Sequence, residues 1–307
     1  MAALDKIKIL VLCGPTATGK TALSVALAKR LHGEIISADS MQLYKRLTIG
    51  TAKATPEEMQ GVPHHLVDFL PLEKRFSVAE YVGKASACID DIAARGKLPI
   101  VVGGTGQYIE SLIKGMRFTQ QPTDLAVREK LQQQVQTQGI GSVYAQLLAA
   151  DPAYAQTLHP NNQKRVLRAM ELYLQTGCTM SQQLEQSLPA EMPYDAHVFA
   201  LTCADRQQLY TRINTRVDSM VQQGILAEAR LVYSHQTEYI TAAQAIGYKE
   251  FFPYFEANAT LEECTEKLKQ ASRNYAKRQL TWFKRMENIT WLEAGCPENE
   301  NIVITAL

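Results

Sequence analysis

The sequence has little net charge, few cysteines and no long apolar run, and each absence excludes a class of protein. The net charge over 307 residues is +1, so any nucleic-acid site must be local. No apolar run approaches the roughly 20 residues of a membrane span, so we expect no membrane association. The 6 cysteines contain no C-x-x-C pair, which argues against a disulfide or zinc framework.

The remaining bulk properties are those of an ordinary globular protein. Hydrophobic residues make up 46% and charged residues 21% of the chain, and the length suggests about two domains. The first apolar stretch is too short, and too soon followed by a glycine-rich turn, to be a secretion signal. Together with the scattered cysteines, this predicts a cytoplasmic protein.

A complete phosphate-binding loop lies near the N terminus. The pattern G-x-x-x-x-G-K-[ST] is matched by Gly14, Pro15, Thr16, Ala17, Thr18, Gly19, Lys20 and Thr21. An apolar stretch, 7–13, precedes the loop as a buried parallel strand should. A helical pattern of apolar residues follows over 21–31.

The loop residues suit a diphosphate or triphosphate group. Gly14 and Gly19 permit tight turns that aim successive N–H groups at one anion, and the N terminus of the next helix adds positive charge. Lys20 can reach phosphate oxygens, and the Thr21 hydroxyl can ligate Mg²⁺. We therefore expect phosphate binding at this loop, with Mg²⁺ as the cofactor.

Strand and helix patterns alternate on both sides of a helical middle section. Strand patterns lie at 34–39, 98–102, 196–203 and 289–292. Helix patterns lie at 77–95 and 261–285, and 206–233 is predicted as a long helix or a helix pair. The alternation predicts an α/β fold, a P-loop NTPase-like parallel sheet with helices on both faces. Ligands in such folds lie beyond the carboxyl ends of the strands, so the polar turns after Ser37 and Val102 should lie near the phosphate loop.

Between 119 and 193 the strand patterns are absent and glutamine is frequent. Helices are expected at 124–138, 141–149 and 161–176. Interleaved apolar residues such as Leu131 and Tyr144 favour folded helices over disordered low complexity. We expect a catalytic core at 1–118 and 194–307, with 119–193 as an inserted helical domain.

Asp39 is the first candidate for chemistry because it follows a strand beside the loop. An aspartate there can be a general base, a metal ligand or a turn-stabilising residue. Kinases and GTPases with this loop usually carry a metal-binding aspartate after a hydrophobic strand. Here strand 100–102 is followed by Gly103, so nucleotide hydrolysis has less support than the loop alone suggests.

Two further motifs have a purely structural interpretation as well as a functional one. The turn Gly103-Gly104-Thr105-Gly106 lets a ligand approach the backbone, although by itself it favours a plain strand-to-helix turn. Adjacent histidines, His64 and His65, do not chelate one ion on a regular element. A structural or hydrogen-bonding role is therefore favoured for them.

Basic residues concentrate in three places. Arg212 and Arg216 are one helical turn apart, and either clamp a diphosphate or face solvent. A stripe without acids, interleaved with aromatic residues, contains Lys269, Arg273, Lys277, Arg278, Lys284 and Arg285. A smaller cluster contains Lys164, Arg165 and Arg168. Such a stripe is often only a surface helix, but two basic clusters together favour an RNA substrate.

Taken together, these motifs resemble the tRNA dimethylallyltransferase (tRNA isopentenyltransferase) family over most of the chain. Beside the phosphate loop, the matching segments are 37–42, 49–53, 63–68, 103–106, 163–165, 212–218, 244–250 and 278–283. The chain departs from the family at Thr18, Thr48 and Gln107, where serine, aspartate and an apolar residue are usual. None of these departures removes a phosphate or base contact.

The resemblance implies transfer of a dimethylallyl group from dimethylallyl diphosphate to N6 of the adenosine 3′-adjacent to the anticodon in tRNA. The loop would then hold the donor's diphosphate and not a nucleotide. Lys20, Thr21 through Mg²⁺, and Arg216 would neutralise the departing diphosphate. Asp39 would accept the amine proton and Thr105 would position the base.

The resemblance also implies contacts with the tRNA anticodon stem-loop. The implied residues are Asp39, Ser40, Met41, Gln42, Thr105, Arg128, Gln163, Lys164, Arg165, Val166, Leu167, Gln244, Ala245, Ile246, Gly247, Tyr248, Lys249 and Lys277. The helical insertion would grip the tRNA, and a monomer is expected. Alternative hypotheses are an adenylate isopentenyltransferase acting on free nucleotides, a P-loop small-molecule kinase, and a non-enzymatic RNA-binding module.

Overall fold

The computed structural model describes residues 6–118 and 124–307, and a parallel sheet forms its centre. The strands are β1 (Ile7–Cys13), β2 (Gly33–Ser37), β3 (His64–His65), β4 (Leu98–Gly103), β5 (Tyr194–Thr202) and β6 (Ile289–Glu293). They form one 6-stranded sheet in the order β3-β2-β4-β1-β5-β6, and every neighbouring pair is parallel. The predicted α/β class is confirmed. The two-residue strand β3 was not predicted because it is too short to show a pattern.

Helices connect and cover these strands. They are α1 (Lys20–Arg30), α2 (Pro56–Met59), α3 (Val78–Ala94), α4 (Gly106–Ile113), α5 (Leu125–Gln138), α6 (Ile140–Ala150), α7 (Pro152–Gln156), α8 (Gln163–Thr176), α9 (Met180–Ser187), α10 (Arg206–Gln222), α11 (Ile225–Ser234), α12 (Phe252–Phe255), α13 (Leu261–Phe283) and α14 (Asn299–Thr305). Short 3-10 turns lie at Ala242–Gln244 and Lys249–Phe251. In the described part of the chain, no helix is both long and apolar enough to cross a bilayer.

Local signals explain several helix boundaries. Helix α3 begins after Ser77, whose side chain and that of Glu80 form a capping box, as the predicted start requires. The stretch 206–233, predicted as a long helix or a helix pair, forms the pair α10 and α11, which are separated at Gly224, with a φ of 95°. Glycine adopts this left-handed conformation at little cost, so the chain can turn there.

Strand β1 shows why the sheet is buried on both faces. Ile9, Val11 and Cys13 pack into the apolar layer that also contains residues of α3. Leu10 and Leu12 alternate with them and pack into the opposite layer, with residues of α1. Because successive side chains of a strand point to opposite faces, a continuous apolar run fits a strand covered on both sides.

The carboxyl ends of β1, β2 and β4 meet, and this edge positions the site. Cys13 pairs with Gly103, and Ser37 pairs with Val102. The backbone N–H of Ala38 donates to the Val102 carbonyl at 2.7 Å. The expectation that the turns after Ser37 and Val102 lie beside the phosphate loop is therefore confirmed.

The chain divides into two compact units, Met1–Ile113 with Met192–Leu307, and Lys114–Glu191. The second unit contains α5 to α9, and the glutamine-rich stretch 132–134 lies in α5. The expected start of the insertion, Thr119, lies outside the described residues. Helices α7 and α9 were not predicted. Asp151 connects them, because its side chain accepts hydrogen bonds from the backbone of Tyr154 and the hydroxyl of Ser181.

Candidate active site

A cavity of about 780 Å³ lies at the carboxyl edge of the sheet, within the first unit. Its lining comes from the phosphate-binding loop and α1, the turns after β2 and β4, residues 48–53 and 241–247, and the facing sides of α10 and α13. Residues that are far apart in the sequence, such as Thr16 and Arg216 with a separation of 200, thus line one cavity. The cavity combines charged, polar and apolar walls, as a substrate site does.

The phosphate-binding loop has the backbone turns that its glycines predict. Gly14 and Gly19 have φ angles of 135° and 88°. A Cβ on Gly14 would lie only 2.6 Å from the Leu201 carbonyl oxygen, so a side chain is excluded by space as well as by conformation. The buried Thr18 hydroxyl donates to the Pro15 carbonyl at 2.9 Å and holds the turn from inside.

Two cations converge on this loop. Lys20 Nζ donates to the Pro15 carbonyl at 2.7 Å, and Arg216 Nη1 donates to Thr16 Oγ1 at 3.0 Å. The pKa of Lys20 is lowered to about 8, chiefly by burial and then by the charge of Arg216, against an opposing effect of Asp39. Burial likewise lowers the pKa of Arg216. The loop therefore carries concentrated positive charge that favours an anionic ligand.

The other arginine of the predicted pair lies elsewhere. Arg212 is not among the residues that line the cavity, and its Nη2 lies beside Gly295. A clamp formed by both arginines is therefore not present. Of the two arginines, Arg216 lines the cavity and Arg212 does not.

Asp39 lines the cavity and is half-buried. Its Oδ1 accepts hydrogen bonds from the backbone N–H groups of Met41 at 2.8 Å and Gln42 at 3.2 Å, so the turn-stabilising interpretation holds for this oxygen. Within 6–118 and 124–307, Oδ2 makes no hydrogen bond. One oxygen fixes the turn, and the other remains for a ligand.

Thr105 fixes the turn that carries Asp39. Its Oγ1 accepts from the Ser40 N–H at 3.1 Å, and its own N–H donates to the Ala38 carbonyl at 3.1 Å. Thr105 does not line the cavity, so its effect on a bound base would pass through the turn. A Cβ on Gly103 would lie 2.2 Å from Ala38 O, so this glycine admits the protein's own backbone and not a ligand.

Glu228 on α11 fixes the cavity wall at residues 48–50 and was missed by sequence reasoning. Its Oε1 accepts from the N–H groups of Thr48 at 2.7 Å and Ile49 at 2.8 Å. Its Oε2 accepts from the Gly50 N–H and the Tyr248 hydroxyl, both at 3.0 Å. Tyr248 is fully buried, so it supports this wall through Glu228 and presents no surface of its own.

Most other residues that the resemblance assigned to tRNA in this unit line the cavity. These are Ser40, Met41, Gln42, Gln244, Ala245, Ile246 and Gly247. The Gln42 amide donates to the carbonyls of Thr51 at 3.2 Å and Ala52 at 3.1 Å, which fixes the wall segment. Lys249 is exposed, and its Nζ donates to the Gln244 carbonyl at 3.1 Å.

In the helical unit, the assigned residues divide by exposure. Gln163, Lys164 and Arg165 form the exposed first turn of α8. The side chains of Val166 and Leu167 pack in the core of this unit, so they stabilise the helix. Arg128 and Arg168 lie 3.5 Å and 3.8 Å from the carboxylate of the buried Glu171.

The basic stripe, which runs along α13 and just beyond its end, is only partly free. Lys269 forms ion pairs with Asp218 and Glu266, both at 2.8 Å. Arg273 Nη1 donates to Asn214 Oδ1 at 2.7 Å, so this end of the stripe packs α13 on α10. The exposed basic residues are Lys277, Arg278, Lys284 and Arg285.

The aromatic residues between these cations point into the protein, as the surface-helix alternative expects. Trp282 Nε1 donates to Glu110 at 3.0 Å, and Phe283 is fully buried. Tyr275 lines the cavity, and burial raises its pKa far above the usual value. Within the described residues, the exposed cations of the stripe are therefore not accompanied by aromatic side chains that face solvent in the way a stacking surface would need.

The adjacent histidines have the predicted hydrogen-bonding role. His64 Nδ1 lies 2.8 Å from the Val62 carbonyl, and His65 Nε2 lies 2.7 Å from Glu34 Oε2. Across the described residues, no three His, Cys, Asp or Glu side chains are grouped as metal ligands. Thr21 lines the cavity at the start of α1, so its hydroxyl suits a metal that is held mainly by a ligand's own oxygens.

Known proteins are similar to this chain over most of its length. Residues 42–286, more than half of the chain, match the family model for IPP transferase. A tRNA dimethylallyltransferase of Bacillus subtilis (strain 168) is 48% identical over 289 residues, which cover 94% of this chain and 91% of that relative.

Solved structures agree with the sequence relatives. The full-length tRNA isopentenylpyrophosphate transferase from Bacillus halodurans is 42% identical, with a TM-score of 0.72 over 98% of this chain and 94% of that chain. A eukaryotic dimethylallyltransferase solved while acting on tRNA is 31% identical, with a TM-score of 0.80 over 98% of this chain and 77% of that chain. On these likenesses of sequence and fold, the chain belongs to the IPP transferase family.

Proposed function

We propose that this chain transfers a dimethylallyl group from dimethylallyl diphosphate to N6 of the adenosine 3′-adjacent to the anticodon in tRNA, and releases diphosphate. Relatives named tRNA dimethylallyltransferase match almost the whole chain and support this activity. The observation that carries the proposal is the meeting of Lys20, Arg216 and Asp39 at one cavity. Two cations suit a diphosphate leaving group, and a carboxylate beside them suits a proton acceptor.

The donor's diphosphate would bind in the phosphate-binding loop. In the part of the chain that the structure describes, neither Lys20 nor Arg216 forms an ion pair with a carboxylate, so both charges can stabilise the departing diphosphate. The residues also fit Mg²⁺ in part, with Thr21 supplying a hydroxyl. A bound Mg²⁺ would add positive charge at the diphosphate oxygens.

The reaction exchanges one bond for another. The bond between the allylic carbon and its diphosphate oxygen breaks, and its electron pair leaves with the diphosphate. The amine N6 of adenine forms a new bond to that carbon and loses one proton. Asp39 Oδ2 would accept this proton, since Oδ1 is already engaged by the turn.

The acceptor base must reach the cavity from an RNA loop. Extrusion of a stacked base costs a few kcal/mol, which contacts with the RNA backbone can offset. We assign these contacts to Lys277 on α13 and to Gln163, Lys164 and Arg165 on α8, because all four side chains are exposed. The chain is proposed to act as a monomer.

A P-loop kinase has weaker support. Strand β4, beside β1, ends in Gly103, and no carboxylate follows it where P-loop nucleotide enzymes carry their metal-binding aspartate. An adenylate isopentenyltransferase would share the cavity but has less need of exposed cations on two helices.

Three acceptors offered to the purified protein test the proposal. Incubation with dimethylallyl diphosphate and Mg²⁺ should add one C5 unit to an anticodon stem-loop, detected by mass spectrometry of its nucleosides. A stem-loop with guanosine at the target position should remain unmodified. Prenylation of AMP alone would favour the adenylate enzyme, and phosphoryl transfer from ATP without use of the prenyl donor would favour a kinase.

A further inference from the structure

Gln279 lies on α13, in the wall of the cavity, and only 5% of it is exposed. Its Oε1 accepts a hydrogen bond from the Thr16 N–H at 3.0 Å. Its Nε2 donates to the Gly104 carbonyl at 2.9 Å. One amide therefore joins the phosphate-binding loop to the turn after β4.

The turn after β4 is shaped to admit this amide. A Cβ on Gly104 would lie 2.1 Å from Gln279 Nε2 and 3.5 Å from the Gly14 carbonyl oxygen. Any larger residue would displace the glutamine, so the glycine and the amide fit each other. The contact with Gln279 therefore explains why residue 104 is a glycine without any role for a ligand.

The contacts continue from this amide toward both reacting groups. On the donor side, Thr16 carries the hydroxyl that accepts from Arg216. On the acceptor side, Thr105 follows Gly104 and accepts from the Ser40 N–H, next to Asp39. Gln279 thus lies between the loop that would hold the diphosphate and the turn that holds the carboxylate.

We propose that Gln279 is a positioning residue that fixes the separation between the diphosphate-binding loop and Asp39. This inference rests on the proposed function. Glutamine suits the task because one side must accept from an N–H and the other must donate to a carbonyl. Glutamate would set a carboxylate oxygen against the Gly104 carbonyl, and methionine would keep the volume but make neither bond. Misplacement of reacting groups by about 1 Å can slow a reaction on the order of 100-fold.

The test compares Gln279→Met with wild type and with Gln207→Met, which replaces an exposed glutamine on α10. With stem-loop and dimethylallyl diphosphate both saturating, single-turnover transfer by Gln279→Met should fall on the order of 100-fold. Its stem-loop affinity should stay within about threefold of wild type, since Gln279 is buried. The Gln207→Met control should match wild type in both measurements.

A second variant separates positioning from charge. Gln279→Glu keeps the acceptor for Thr16 but adds negative charge beside the loop, so it should weaken pyrophosphate binding more than Gln279→Met does. If Gln279→Met loses only stability and transfers at the wild-type rate under saturation, Gln279 is merely structural and the inference fails. If wild type itself transfers nothing to the stem-loop, the proposed function fails instead.

Amide hydrogen exchange tests the positioning without any turnover. The Thr16 amide should exchange at least about tenfold faster in Gln279→Met than in wild type, because its acceptor is removed. The Leu23 amide, which donates to the Gly19 carbonyl in α1, serves as the internal reference. Equal exchange at Thr16 in both proteins would overturn the inference, and it would do so even if no transfer activity were found.

Discussion

Replacement of Lys20 by methionine should stabilise the protein in the absence of added diphosphate. The pKa of Lys20 is lowered from 10.5 to about 8, first by burial and then by the charge of Arg216. At about 1.4 kcal/mol per pKa unit, the buried charge costs roughly 3 kcal/mol of folding free energy at pH 7. Loss of the hydrogen bond to the Pro15 carbonyl offsets about 1 kcal/mol. The expected net gain in Lys20→Met is therefore about 2 kcal/mol at pH 7.

The stability difference between Lys20→Met and wild type should depend on pH. Because the pKa of Lys20 is lower in the folded state, the unfolded state binds more protons between pH 8 and 10.5. Wild-type stability should therefore rise relative to the variant as pH increases through this window. The advantage of Lys20→Met should be full below pH 8 and should shrink toward pH 10.

Urea unfolding at pH 7 and pH 10 measures the effect. Lys45→Met replaces an exposed lysine and should change the unfolding free energy by less than about 0.5 kcal/mol at either pH. Pyrophosphate at 100 times its Kd should stabilise wild type by about 2.7 kcal/mol, and the same concentration should stabilise Lys20→Met far less. A variant that is less stable than wild type at pH 7, or a difference that does not change with pH, would refute the reasoning.

Three other predictions follow from single contacts. Lys277→Ala should weaken stem-loop binding and reduce the slope of log affinity against log salt concentration by about 1. Lys269→Ala should leave this slope unchanged because Lys269 is already paired with acids. Equal slopes for the two variants would mean that Lys277 does not contact the RNA. Glu34→Gln should cost about 3 kcal/mol at pH 7, since hydrogen bonds from arginine, lysine and histidine partners lower the pKa of this buried carboxylate. Because the unfolded carboxyl titrates near its usual pKa of 4.5 and the folded one far below it, that cost should shrink as pH falls below about 5, and an equal cost at pH 7 and pH 3 in urea unfolding would contradict the prediction. Gly50→Ala places a Cβ 2.7 Å from the Tyr248 ring, so the unfolding free energy measured in urea should fall by about 1–3 kcal/mol. An unchanged unfolding midpoint would mean that the cavity wall accommodates the methyl group without strain.

The sequence predicted those parts of the molecule that depend on local pattern. Strand β1 was predicted with its observed bounds, and the helix predicted at 77–95 matches α3, which Ser77 caps. The phosphate-binding loop was predicted because its glycines, lysine and threonine are contiguous. The family resemblance drawn from these ordered motifs is confirmed by the relatives.

The missed residues act through partners that are distant in sequence. Gln279 is 263 residues from Thr16, and Glu228 is 180 residues from Thr48. Gln279 lies in the matched segment 278–283, but the motif does not show which atoms it contacts, and Glu228 lies in no matched segment. An acceptor for a remote N–H has no local signature. For Arg212, the spacing left two roles open. Its spacing from Arg216 predicts a shared helix face but not which elements pack beside that face.

Single-turnover transfer by Asp39→Asn tests the central claim most directly. Asparagine retains a side-chain oxygen for the turn that Oδ1 now stabilises, but it cannot accept the proton from N6. With wild-type affinity for pyrophosphate and for the anticodon stem-loop, the variant should transfer the dimethylallyl group about 100-fold more slowly or worse. Transfer within threefold of wild type, with both substrates saturating, would show that this carboxylate is not the proton acceptor.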